Sequence, residues 1–161
     1  MRVVSTRTRR GRRRLAGLVA GTSLVAGLAV AVPAAPAEAA WACSGVTVVV
    51  DFTAFGGGVQ KKCDTAHPTT GLKALQDVGY TLTGTQRYGL AFVCRINNKP
   101  SKAQDPCVVT PPANAYWSYW KAPHKGAWSY SSQGAGSSVP TPGTVEGWAF
   151  GAGTAPSIKA P

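Results

Sequence analysis

Catalytic side chains are scarce in this chain. Six Asp/Glu and two histidines stand in 161 residues. His67 and His124 each sit beside a proline in turn-like sequence, and no histidine–acid spacing suggests a triad. No nucleophile elbow is present. There is no C-x-x-C pair, and Cys63 and His67, four residues apart, do not make a metal site in a chain with export features. The triplet Gly56-Gly57-Gly58 is followed by neither Lys-Ser/Thr nor a helix start, so it reads as a turn rather than a phosphate loop. Carboxylate pairs form in space rather than in sequence. The best single acid is Asp51, at the end of an apolar run, where capping a turn is its commoner use. These scarcities point to a protein that is not an enzyme, with no cofactor and no metal.

Basic residues are plentiful, but their placement matters. The formal net charge is +11. Residues 1–14 carry seven arginines and no acid, residues 15–32 are small and apolar, and Ala37-Glu38-Ala39 is a small-x-small cleavage signal. That order is a secretory signal peptide over 1–39, with cleavage expected after Ala39. Arg9-Arg10 and Arg12-Arg13 raise the twin-arginine route; Cys43 raises a lipoprotein, against which Trp41 fits poorly. Beyond residue 39, ten Lys/Arg face five Asp/Glu, a balance of +5, and Lys61-Lys62 is the only adjacent basic pair. A nucleic-acid partner is therefore not expected. Membrane contact is expected only during export or through a transporter partner.

The four cysteines, Cys43, Cys63, Cys94 and Cys107, read as two disulfides in an exported chain. Three pairings exist. We favour Cys94–Cys107, which closes a short loop across a turn, and hence Cys43–Cys63.

The chain from residue 40 onward is long enough for one small domain. Gly45 to Phe52 is a nearly continuous β-branched run, the mark of a strand covered on both faces. Leu72, Leu75 and Val78 recur at helical spacing, with Thr69 or Thr70 as N-cap and Gly79 as the stop. Tyr80–Gly84 reads as a short strand. Leu90–Ile96 reads as a stronger one, with Leu90, Phe92, Cys94 and Ile96 on one face. Asn97-Asn98-Lys99-Pro100 turns the chain, and Pro106, Pro111 and Pro112 make 101–115 a loop. Residues 131–138 are polar and glycine-rich, Val145–Phe150 is a last strand, and the stretch from Gly151 has the composition of a flexible tail.

The sequence concentrates its aromatics in one place. Tyr116, Trp117, Tyr119, Trp120, Trp128 and Tyr130 are six of fourteen aromatic residues. Residues 116–121 predict a strand, with Trp128-Ser129-Tyr130 as the return strand of a hairpin. Alternation sets Tyr116, Ser118 and Trp120 on one face and Trp117, Tyr119 and Lys121 on the other. One set of rings is expected in the core, the other partly exposed.

The order of these pieces, and the aromatic hairpin above all, resembles the DUF4430-type domains and, through them, the C-terminal domain of transcobalamin and intrinsic factor. The matching segments are Gly45–Phe52, Leu72-Lys73-Ala74-Leu75, Phe92–Asn97, Tyr116–Trp120, Trp128–Tyr130 and Val145–Phe150. They span roughly 45–150, with 40–150 as the domain and 151–161 as the tail. The resemblance implies an α+β fold, a β-grasp-like mixed sheet with one short helix packed across it. It implies no catalysis and names a corrinoid as one candidate ligand. The helical partner domain of the cobalamin carriers has no counterpart in this sequence.

Function is thus expected to be that of a secreted binding module. Tyr116, Trp117, Tyr119, Trp120, Trp128 and Tyr130 would meet a small ligand or a partner protein. The alternatives are a small disulfide-stabilised inhibitor, presenting loop 101–115, and an accessory protein of a membrane transporter.

Overall fold

The computed structural model describes residues 41–161. The expected signal peptide and its cleavage point lie outside the described residues. The first strand, β1 (Val46–Asp51), is buried along its whole length. It forms an antiparallel hairpin with β2 (Val59–Asp64) and lies parallel to β7 (Thr144–Gly151) on its other side. The strand β5 (Tyr116–Pro123) runs antiparallel to β7 and carries the two-residue β6 (Ser129–Tyr130) on its outer edge. The sheet order is β2-β1-β7-β5-β6. First and last strands side by side in parallel, with a helix crossing one face, is the β-grasp arrangement. A second sheet of two strands, β3 (Leu82–Thr85) and β4 (Gly89–Ile96), completes an α+β fold.

The helix α1 (Gly71–Asp77) follows its sequence signals. Thr70 is the N-cap, accepting from Lys73 N at 3.1 Å, and Gly79 takes the left-handed conformation just past the end. Lys62 Nζ donates to Val78 O at 2.8 Å, tying β2 to the helix C-terminus, where a cation is favoured. Ala74 and Leu75 press onto the front of the sheet, against a core that includes Val48, Val50, Phe52, Tyr80 and Trp148. Tyr80 was expected in a strand. It turns into this core instead, its hydroxyl donating to Gln60 Oε1 and its pKa pushed up to about 12 by burial.

The back of the sheet holds a second cluster, Val49, Ala122, Val145 and Ala160, with Val59, Trp128 and Ile158 packed against it. Two of these residues come from the stretch expected as a flexible tail. That stretch instead lies along the back face. Trp128 Nε1 donates to Ile158 O at 2.7 Å, Lys125 N to Pro161 O at 3.1 Å and Ser157 N to Asp51 Oδ2 at 2.7 Å. The physical reason is that Val49 and Val145 face backward from central strands and need an apolar cover, which Ile158 and Ala160 supply. Gly147 is required here: a Cβ on it would stand 2.5 Å from the ring of Trp128.

Two bridges close the framework, Cys43–Cys63 and Cys94–Cys107, with Cα separations of 5.5 and 5.8 Å. This is the pairing favoured from loop closure, and two disulfides indicate an oxidising compartment. No helix among the described residues is long and apolar enough to cross a membrane.

The strand β4 departs from its expected face. Its register against β3 jumps from Gly84↔Val93 to Thr85↔Gly89, so Leu90, Ala91 and Phe92 bulge out of the ladder. Phe92 is therefore exposed, while Val93 is buried beside Cys94 and Ile96.

Candidate binding cleft

The aromatic hairpin divides as alternation requires. Trp117 and Tyr119 are buried on the helix side of β5, while Tyr116 and Trp120 are half-buried. The ring of Trp117 sits edge-on to Phe52 at 5.4 Å and to Phe150 at 5.5 Å, and its Nε1 donates to Lys99 O at 2.9 Å. Tyr119 packs on Trp148, its direct neighbour on β7, with centroids 4.9 Å apart. Trp120 lies edge-on to Tyr130 at 5.1 Å and donates to Ser118 Oγ at 2.9 Å. Tyr116 and Tyr130 bring their hydroxyls to 3.5 Å, and that contact, with some burial, raises the pKa of Tyr130.

A cleft of about 510 Å³ opens beside this hairpin. Its floor is formed by Trp117, Tyr119, Trp148 and Ala135. One wall is the bulge of β4, with Leu90, Ala91, Phe92 and Val93 in succession; the other is the run Ser131–Gly134. Pro111 and Ala113 close one side. Of the six residues expected to contact a ligand, Tyr116, Trp117, Tyr119 and Tyr130 line the cleft and Trp120 and Trp128 do not. Trp128 is on the opposite face, under the C-terminal segment, so the return strand shrinks to Ser129–Tyr130. The wall residues Leu90 to Val93 were read only as strand. Their signal, Phe92 exposed on a bulge, depends on a register that no local pattern reveals.

Below the floor, Glu146 is fully buried, and the Tyr119 hydroxyl donates to its Oε2 while Oε1 has no partner. Burial raises the pKa of Glu146, opposed by the Tyr119 hydrogen bond and by Lys121, which lies across from it on β5. The same burial, with the carboxylate alongside, raises the pKa of Tyr119. The indole N–H of Trp148 is likewise buried without a partner.

Asp51, the best catalytic acid by sequence, is a structural cap. It accepts from Thr53 N at 2.9 Å, from Thr53 Oγ1 at 2.6 Å and from Ser157 N. Burial alone would raise its pKa, but these bonds outweigh burial and lower it. His67 and His124 are exposed and line no part of the cleft. Among the described residues one group of three metal-type ligands comes together, Cys94, Asp105 and Cys107, and both its sulfurs are consumed in a disulfide.

The comparisons correct the family expected from sequence. Residues 110–160 match the SCO2322-like domain, not a DUF4430 or transcobalamin-type domain. No curated protein and no solved structure matches the chain. Strand order and an aromatic hairpin carried the earlier resemblance, and both belong to a fold that hosts many functions. The corrinoid expectation rested on it and falls with it. The matched stretch covers β5, β6, β7 and most of the C-terminal segment, the part of the chain that builds the cleft floor and covers the back of the sheet.

Proposed function

We propose that this chain is a secreted, non-catalytic binding module that takes its ligand or partner in the cleft between the β4 bulge and the aromatic hairpin. The observation that carries this reading is the cleft itself, about 510 Å³ with Trp117, Tyr119, Trp148, Leu90 and Phe92 in its lining. Binding sites are typically concave, largely apolar and of roughly 300–1,000 Å³. The polar run Ser131–Gly134 at the rim offers hydrogen bonds for orientation. Secretion is supported by the arginine-rich and apolar order of residues 1–39 and by two disulfides. Absence of catalysis is supported by the exposed, isolated histidines and by the structural role of Asp51.

The test uses N-phenyl-1-naphthylamine, a neutral apolar fluorophore. It should brighten on the native protein and lose that signal in Gly134→Phe. Open space surrounds the Cβ position of Gly134 at the cleft wall, so a ring can enter without displacing the backbone. A variant that melts like the wild type and still brightens the dye equally would refute the cleft as the site. A second reading, an inhibitor, is favoured by one observation: Cys107 pins loop 101–115 to β4, and Val108 and Val109 beside it are exposed. Inhibition of any of a panel of extracellular proteases, lost in Val109→Asp, would support it.

A further inference from the structure

The occupant of the cleft can be narrowed from the backbone, an argument that rests on the cleft reading above. Strand β5 is hydrogen-bonded to β7 along its full length, but on its outer edge β6 pairs only with Trp120 and Lys121. Ser131 N adds one more bond, to Tyr119 O at 3.0 Å. In an antiparallel strand the N–H and C=O of residues two apart point the same way. Trp117 therefore directs its backbone groups to the same outer edge, and among the described residues neither has a backbone partner there.

The edge is empty because the chain is diverted. After Ser131 it leaves β5 and crosses to the start of α1, where Ala135 O accepts from Leu72 N at 3.1 Å and Ser138 O from Gly71 N at 3.0 Å. Those helix N–H groups have no partner within the helix. The segment that would have extended β6 past Trp117 caps the helix instead, and the space it vacates is the cleft. Across that space stand four consecutive residues, Leu90 to Val93. These residues lie at the β4 bulge, so the cavity meets chain released from the ladder rather than one face of a regular strand. Leu90 to Phe92 have no partner in the ladder with β3.

Charge limits the occupant further. Of the five side-chain carboxylates beyond residue 40, Asp51, Asp64 and Glu146 are buried. Asp77 is paired with Lys73, and Asp105 accepts from Cys107 N. Asp77 is the one exposed acidic residue among the described residues, against seven exposed Lys/Arg, so the exposed charge is mainly cationic, with no Lys or Arg in the cleft lining itself. Arg87 stands over Tyr88 at 5.3 Å, and Tyr88 packs on Phe92 at the cleft wall. Lys99 lies where its carbonyl receives the Trp117 indole.

We propose that the cleft receives an extended segment of a partner protein, with apolar and acidic residues alternating, which adds to the free edge of β5 in line with β6. The open edge is the stretch at Trp117, bounded by the Ser131 N bond to Tyr119 O and the Ala115 N bond to Pro112 O, so about three residues would fit opposite it. Main-chain bonds to Trp117 would supply affinity, the apolar side chains would meet Phe92 and the cleft floor, and the acidic ones would meet Arg87 and Lys99.

Two pools of short, end-blocked peptides test this on the disulfide-intact protein. One alternates apolar residues with Asp/Glu, the other with Lys. The acidic pool should bind at least about tenfold tighter, slow amide exchange at Trp117, and lose about tenfold or more when alternate peptide nitrogens are methylated. Equal binding of the two pools would overturn the acidic assignment. Failure of both to protect Trp117, while N-phenyl-1-naphthylamine still brightens, would overturn the strand and leave the cleft as a small-molecule site. Failure of the dye as well would sink the cleft reading itself. Protection of Trp117 in the protein alone, rising with its concentration, would identify the occupant as a second copy of this chain and refute a separate partner.

Discussion

Replacing Trp117 and Trp120 separately by alanine measures how the aromatic hairpin divides between core and surface. Trp117 is 5% exposed and touches the rings of Phe52, Phe55 and Phe150. Removing such a side chain costs about 3–5 kcal/mol, part of it for the cavity left behind. Lys99 O keeps its second donor, Ile96 N at 3.0 Å, so loss of the indole bond adds little to the cost of the cavity. Trp120 contributes one edge-on pair with Tyr130 and one hydrogen bond to Ser118. These are worth about 0.5–1.5 kcal/mol each, and solvent replaces part of the second. Trp120→Ala should therefore cost about 1–2 kcal/mol. Urea denaturation of the oxidised protein reads both differences, provided the slope is unchanged. Trp117→Phe is the control, keeping most of the packing while losing the indole bond, and should cost about 1–2 kcal/mol. Equal losses in the two alanine variants, or a loss below about 1 kcal/mol for Trp117→Ala, would refute the division.

Two further outcomes follow from the core and its buried acids. Ending the chain at Gly153 removes Ile158 and Ala160 from above Val145 and Trp128 and should cost at least about 3 kcal/mol, read as a fall in the urea midpoint; a truncated protein as stable as the full chain would show that the back face needs no cover. Stability should also be highest in mildly acidic solution. Asp51 has a lowered folded pKa, so its contribution is present above the unfolded value near 4 and is lost as pH falls through the folded one. Glu146 has a raised folded pKa, so its contribution is present below about 4.3 and is lost as pH rises through the folded value. Glu146→Gln keeps an acceptor for Tyr119 and should flatten the decline on the alkaline side; an unchanged pH profile in that variant would exclude Glu146 as its source.

Much of this protein was determined by local pattern. A β-branched run with no polar alternation can only be a strand covered on both faces, and Val46–Asp51 is one. Thr70 and Gly79 bound a helix because a hydroxyl satisfies free N–H groups and glycine tolerates a left-handed turn. Alternation alone put Trp117 and Tyr119 on one side of β5 and Tyr116 and Trp120 on the other. Tertiary structure decided what local pattern does not carry. The polar sequence Gln60-Lys61-Lys62 became a strand because β1 needed an antiparallel neighbour. A segment with the composition of a loose tail became ordered because Val49, Val145 and Trp128 faced backward with nothing else to cover them. A register jump between β3 and β4 turned Phe92 outward. The cleft arises from the diversion of residues 131–138 to the start of α1, a choice made between two distant sets of unpaired backbone groups. Hydrogen bonds across such separations leave no period in the sequence, and so the aromatic residues of the cleft were visible there but the cleft was not.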